Sequence, residues 1–139
     1  MTPRGFLLDT NVLSELLRKR PDPGVVSRAH SVAAARLKTS AMCVAELRAG
    51  TSAVAHGAQL WERIVKNLLG RVTVIPIGQL EAEAAGDFLG RGRAGGQPVG
   101  VPDALIAATA AANGLVLVTR NVRHFERLPV EVESWWSSR

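Results

Sequence analysis

Residues 5–14 read Gly5-Phe6-Leu7-Leu8-Asp9-Thr10-Asn11-Val12-Leu13-Ser14, and they restrict the fold more than any other stretch. A short apolar run stops at an acid, a small polar cluster follows, and a helical pattern begins. The run Phe6-Leu7-Leu8 suits a strand buried on both faces, as in a parallel sheet with helices packed above and below. Thr10 or Asn11 is placed to cap the following helix through a side-chain oxygen on an unpaired N–H. Asp9 then falls at the carboxyl end of a central strand, where open α/β sheets put their ligands. On these ten residues alone, a plain turn or capping role for Asp9 competes equally, and the rest of the chain has to separate the two.

The same alternation runs downstream. Helices are predicted over 12–19 and 25–35, divided by Arg20-Pro21-Asp22-Pro23-Gly24, and a polar second strand over 36–40. Ser40 is a good N-cap and Gly50 a good stop for a short apolar helix that carries Glu46 in its interior. A longer helix is predicted over 53–69, with Leu60, Ile64 and Leu68 four apart and Trp61 and Val65 beside them. Residues 71–76 are the clearest β-branched run, and a helix over 79–89 follows. The glycine- and proline-rich segment 90–102 reads as a loop bearing Arg91 and Arg93. A strongly helical segment over 102–113 has Asp103 in its first turn and Gly114 at its end. Leu115-Val116-Leu117-Val118 is a further buried strand, ending in Thr119-Arg120-Asn121, and residues 130–132 suit a short edge strand. Strands alternating with helices define an α/β sandwich around a mainly parallel sheet, with one domain over 1–139.

Composition narrows the partners. Seventeen Lys and Arg against twelve Asp and Glu give a net charge of +5, which favours an anionic partner, nucleic acid first. No run of about 18 apolar residues exists to span a membrane, and Asp9 interrupts the first apolar run before a signal sequence can form. The single cysteine, Cys43, excludes an internal disulfide and a cysteine-rich zinc site. These features point to a cytoplasmic protein with no membrane partner.

Three acids share one situation: Asp9 follows a buried strand, Glu46 lies in an apolar helix, and Asp103 opens an alanine-rich helix. Asn121 follows the strand at 115–118. In a parallel sheet the strand ends and the starts of the next helices lie along one edge, so these four residues can converge in one crevice. Clustered carboxylates repel, and burying them unpaired is costly. A cation resolves the conflict, and oxygen donors without a Cys or His motif favour Mg²⁺ or Mn²⁺ over Zn²⁺. Such an ion polarises a phosphoryl oxygen and activates water, the equipment of a phosphodiesterase acting on nucleic acid.

At this point the chain resembles the PIN-domain ribonucleases and, within them, the VapC toxins of type II toxin–antitoxin pairs, close to the FitB-like branch. The matching blocks are Leu7-Leu8-Asp9-Thr10-Asn11-Val12-Leu13-Ser14-Glu15 and Val44-Ala45-Glu46-Leu47-Arg48-Ala49-Gly50, then Asp103-Ala104-Leu105-Ile106-Ala107-Ala108-Thr109-Ala110 and Gly114-Leu115-Val116-Leu117-Val118-Thr119-Arg120-Asn121. They cover nearly the whole chain. The resemblance implies a PIN-like three-layer α/β/α sandwich and an endoribonuclease that depends on Mg²⁺, with Mn²⁺ able to substitute. It also implies a homodimer, or a heterotetramer or larger assembly with a VapB-like antitoxin that blocks the active site. Carried over, Asp9 and Asp103 become the principal metal ligands and Glu46 the third acid. Asn121 takes a fourth position, holding water at the metal or positioning the phosphate. Thr119 supports that corner, and Thr10 and Asn11 shape the turn holding Asp9. The family often has an acid at the position of Asn121 or three residues later. This chain has Asn121 and His124, which lowers the charge of the site and bears on whether a second ion binds.

The bland readings stand beside these. Asn121 equally suits a cap of the next turn. His124 reads as a surface or packing residue, with proton donation as the competing role, and Glu15 reads as a solvated helix acid, with a reach into the site as the competing role. Arg91, Arg93 and Arg120 are candidate contacts to RNA phosphates. Trp135 and Trp136 are expected to pack against the domain or a dimer partner, and Cys43 to be a small buried hydrophobe. Gly90-Arg91-Gly92-Arg93-Ala94-Gly95 matches the letters of a dinucleotide fingerprint but follows no strand, so that reading is rejected. Two rival functions remain: a phosphatase using Asp9 as nucleophile, lacking its usual second acid because Asn11 stands there, and an RNA-binding protein with a vestigial metal site.

Overall fold

The computed structural model describes residues 4–137. Five strands, β1 (Phe6–Leu8), β2 (Leu37–Ser40), β3 (Thr73–Ile75), β4 (Val116–Val118) and β5 (Val132–Glu133), form one sheet in the order β3-β2-β1-β4-β5. Every neighbouring pair is parallel, with Phe6 opposite both Leu37 and Val116. All three residues of β1 and all three of β4 are buried. Successive strand residues face opposite sides of a sheet, so burial of every one means that helices cover both faces. This is the three-layer α/β/α arrangement expected from the apolar runs.

Six helices complete it: α1 (Thr10–Leu16), α2 (Pro23–Ser31), α3 (Ala41–Ser52), α4 (Gly57–Asn67), α5 (Gln79–Ala94) and α6 (Val101–Ala112). The strand order reverses direction at the β1/β4 pair, because the chain grows outward to β3 on one side and to β5 on the other. Such a switch point opens a crevice at the carboxyl ends of the two strands. Pairing continues into that edge, where the Asp9 amide donates to the Val118 carbonyl at 2.9 Å. On the other side of β1, the buried Thr39 hydroxyl donates to the Leu8 carbonyl at 2.8 Å. The last residue of β1 is therefore fixed from both neighbours.

Several boundaries differ from the sequence reading. The cap of α1 is Asp9 itself, whose Oδ1 accepts from the Thr10 amide at 2.7 Å; Thr10 and Asn11 are the first helical residues. Gly50 does not stop α3, which runs on to Ser52, although Ser40 caps it as expected by accepting from the Met42 amide. The helix predicted over 53–69 begins only at Gly57. The largest correction concerns residues 90–94, predicted as loop, which are the last turn and a half of α5. There Gly92 packs so tightly that a Cβ on it would stand 2.8 Å from the Gln97 carbonyl oxygen. The glycine serves close packing of the turn that follows, rather than breaking the helix.

The carboxyl-terminal segment closes the core. Its edge strand is shifted to Val132–Glu133, and Trp135 is buried with its ring edge-on to Phe6, centroids 5.4 Å apart. Cys43 is fully buried, as its small apolar character suggested. No helix among the described residues is long and apolar enough to cross a membrane.

Candidate metal centre

The carboxyl edge of β1 and β4 holds a cleft of about 530 Å³, and most of the residues singled out in the sequence line it: Asp9, Thr10, Asn11, Glu46, Asp103 and Asn121. They arrive from four parts of the chain. Asp9 ends β1 and caps α1, Glu46 lies in the second turn of α3, Asp103 in the first turn of α6, and Asn121 just after β4.

Asp9 is the fixed point, only 6% exposed. Its Oδ2 accepts from the Thr119 hydroxyl at 2.8 Å and from the Asn11 amide group at 3.2 Å, while Oδ1 takes the Thr10 amide. Asn11 in turn accepts from the Arg120 amide at 3.1 Å, which ties the start of α1 to the end of β4. Thr119 thus supports the corner as expected, and Thr10 and Asn11 shape the turn, but by binding Asp9 and its neighbours rather than by capping. Glu46 is brought to the same corner by the Thr10 hydroxyl, which donates to its Oε1 at 2.5 Å.

These donors do not neutralise the charge. Burial raises the Asp9 carboxyl above its ordinary value near 3.8; hydrogen bonds from Thr119 and Thr10 pull it back down, and the Asp103 and Glu46 carboxylates push it up again. Desolvation disfavours the charged form and like charges disfavour it further. One ligand-type atom from each of Asp9, Cys43 and Glu46 lies within 4.8 Å of the other two. Burial pushes the Cys43 thiol up to about 11, so at neutral pH it is a neutral S–H flooring the cluster. The effective donors are carboxylate oxygens with excess negative charge, and that set fits a hard divalent cation.

Asp103 faces this group from across the cleft and stands outside the tightest set. Its carboxylate is 41% exposed, and Oδ2 lies 3.8 Å from His124 Nδ1. His124, read as a surface residue, is indeed 64% exposed, yet it belongs to the cleft wall. Asn121 uses its backbone amide to bind the Thr119 hydroxyl at 3.1 Å, and its side chain makes no cap.

One reading is overturned here. Glu15 is not a solvated acid: it is 6% exposed, accepts from the Asp22 amide at 2.8 Å and pairs with Arg18 at 3.3 Å. It lines the cleft with Arg18 and Ser14, which the sequence reading missed. The available signal was the spacing of Asn11, Glu15 and Arg18, four and three apart on one face of α1. The candidate RNA contacts also separate. Arg91 lies on the wall of a neighbouring cleft, Arg93 lines neither cleft, and the Arg120 side chain sits over the Trp136 ring at 5.4 Å, away from the acids.

Comparison with known proteins agrees with this geometry. The PIN-domain family pattern matches residues 6–131. The chain is 32% identical over 138 residues to VapC ribonuclease Y4jK of Sinorhizobium fredii, covering 94% of this chain and 97% of the relative. It is 33% identical to Toxin FitB of Neisseria gonorrhoeae, with 94% and 98% covered. Among solved structures, DNA-bound VapBC from Salmonella typhimurium superposes with a TM-score of 0.86 at 28% identity, covering 96% of this chain and 99% of that one.

Proposed function

This chain belongs to the PIN-domain family, and from that premise we propose that it is the ribonuclease toxin of a type II toxin–antitoxin pair, held in check by an antitoxin. The observation that carries the reading is the gathering of Asp9, Glu46 and Asp103 from the starts or early turns of three helices at the switch point of a parallel sheet.

Asp9, Glu46 and Asp103 would hold Mg²⁺, with Mn²⁺ as its substitute. When bound, the ion supplies Lewis-acid polarisation of a phosphodiester and lowers the pKa of water for in-line attack. The chain's own residues do the rest. Thr119 and Asn11 fix the orientation of Asp9, and Thr10 holds Glu46 at the same corner. Asn121, also lining the cleft, positions the phosphate or water. Burial of Asp9 keeps bulk solvent off the innermost carboxylate, so the charge the acids present is not dissipated in water.

In this reading the protein acts in the cytoplasm on RNA as a single PIN domain over 1–139, and its likeness to chains solved as FitAB and VapBC supports assembly with an antitoxin, as a homodimer or in a larger complex. Purified protein incubated with total cellular RNA is expected to produce discrete cut ends in Mg²⁺ and none in EDTA, and Asp103→Ala to abolish the cuts while leaving the circular dichroism spectrum unchanged. Cleavage by Asp103→Ala at the wild-type rate would end the assignment.

A further inference from the structure

Beside the acidic cleft, and sharing Asp103 and His124 with it, lies a second cleft of about 610 Å³. Its walls come from the end of α5, the turn leading to α6, and the segment after β4. Arg91, Arg123 and Arg127 converge on it, opposed by Glu126 and Asp103. All three arginines are exposed. Among the described residues none of them makes an ion pair, a side-chain hydrogen bond or a stacking contact. Three uncommitted guanidinium groups on one concave wall repel one another and lower their energy when an anion enters. Gly92, Gly95 and Gly100 also line the cleft, beside Pro98, Val99 and Leu128.

The opposite flank of the acidic cleft is built differently. A further cleft there carries Arg18, Arg20 and Arg120. Arg18 is paired with Glu15, however, and Arg120 is laid over Trp136, so that Arg20 alone is uncommitted. Positive charge on that side is largely spent inside the protein.

From this asymmetry we infer that the Arg91–Arg123–Arg127 cleft is the binding track for the sugar–phosphate backbone of a single-stranded RNA whose scissile bond lies at the acidic cleft. The inference rests on the ribonuclease reading and adds the side from which the strand is held. Guanidinium groups match phosphate oxygens in geometry as well as charge, and phosphate contacts set register without reading sequence. The track therefore supplies affinity and positioning, and base preference arises elsewhere.

The test is binding of a short fluorescein-labelled single-stranded RNA to the full chain in EDTA, followed by anisotropy over a range of salt concentrations. For single strands the slope of log K against log salt is about −0.7 per neutralised phosphate. Replacing Arg91, Arg123 and Arg127 together with Ala is expected to weaken binding at least tenfold at low salt and to flatten the slope by ~2. Arg20→Ala with Arg120→Ala is expected to change the slope by less than half as much. Equal slopes for wild type and the triple variant would overturn the inference, as would a larger effect from the Arg20 and Arg120 pair. An unchanged RNA slope with lost affinity for the antitoxin would also overturn it and assign the cleft to the protein partner. If the triple variant shows the predicted slope change yet the wild type cuts no RNA in Mg²⁺, the nuclease reading falls and the arginine cleft stands as an RNA-binding track alone.

Discussion

Two aspartates cap consecutive helices in this chain, and their surroundings have opposite consequences. Asp22 caps α2, and its Oδ2 accepts from the Gly24, Val25 and Ser137 amides and the Ser137 hydroxyl at 2.9–3.2 Å. Burial alone would raise its carboxyl, but the bonds from Ser137, Val25 and Gly24 outweigh that and hold it below its ordinary value near 3.8. Asp9 caps α1 with comparable hydrogen bonds, yet its carboxyl is raised, because it is buried and shares its corner with two further acids. One carboxylate is satisfied by the fold, and the other is kept in excess. Capping and the proposed ion holding are thus compatible at Asp9, since one oxygen takes the Thr10 amide while the other lies toward Thr119.

The sharpest way to break this comparison is to neutralise each cap in turn. Asp9→Asn is expected to lower RNA cleavage by at least about a hundredfold through loss of the ion's main anchor, whereas Asp22→Asn should leave kcat within about twofold. Equal losses in a single-turnover assay would put both residues in one structural class. A smaller effect tests the support beneath Asp9. Thr119→Val keeps the shape but removes the hydroxyl on Oδ2, and should weaken Mn²⁺ binding by about 10–100-fold, the usual cost of losing a residue that orients a ligand. Unaltered affinity would show that Asp9 needs no such support.

The pH dependence of stability separates the two caps by sign. The folded-state carboxyl of Asp22 is depressed, so its contribution is present above 3.8 and lost as pH falls through the lower folded value. For Asp9 the folded value is raised, so metal-free protein loses stability as pH rises from 3.8 through that value, and the loss persists at neutral pH. Thermal melts in EDTA should accordingly show Asp9→Asn at least as stable as wild type at pH 7, with the advantage gone below 3.8. Mg²⁺ should raise the wild-type melting temperature and leave that of Asp9→Asn unchanged. The smallest effect is expected from Asp22→Ala, a loss of a few degrees at pH 7 that vanishes in acid, read by the same melts.

The contrast also shows what the sequence makes legible. Asp9, Glu46 and Asp103 could be found because each interrupts or opens an apolar segment, where a charge has no structural excuse. For Glu15 the sequence left a site role and a solvated role open, because its burial depends on the turn at 20–22 folding back to place the Asp22 amide against it, a contact seven residues away in the chain. The same limit applies to glycine. Gly50 and Gly90 resemble helix stops, yet α3 and α5 pass through them, because packing outweighs the roughly 1 kcal/mol that a helical glycine costs. The β-branched run at 71–76 announced a strand correctly but not its depth, since β3 is the exposed edge of the sheet while the leucines of β1, not branched at Cβ, lie at its centre. Local chemistry specifies which elements form, and long-range contacts decide which of their polar groups are buried.

In the proposed function, the carboxylates of Asp9, Glu46 and Asp103 act as one cation site. Isothermal titration of Mn²⁺ into the RNA-free protein measures this directly. Saturable binding by the wild type, weakened at least tenfold in both Asp9→Asn and Asp103→Asn but unchanged in Asp22→Asn, is the predicted result. Equal affinity across all four proteins, or no saturable binding by the wild type, would contradict it.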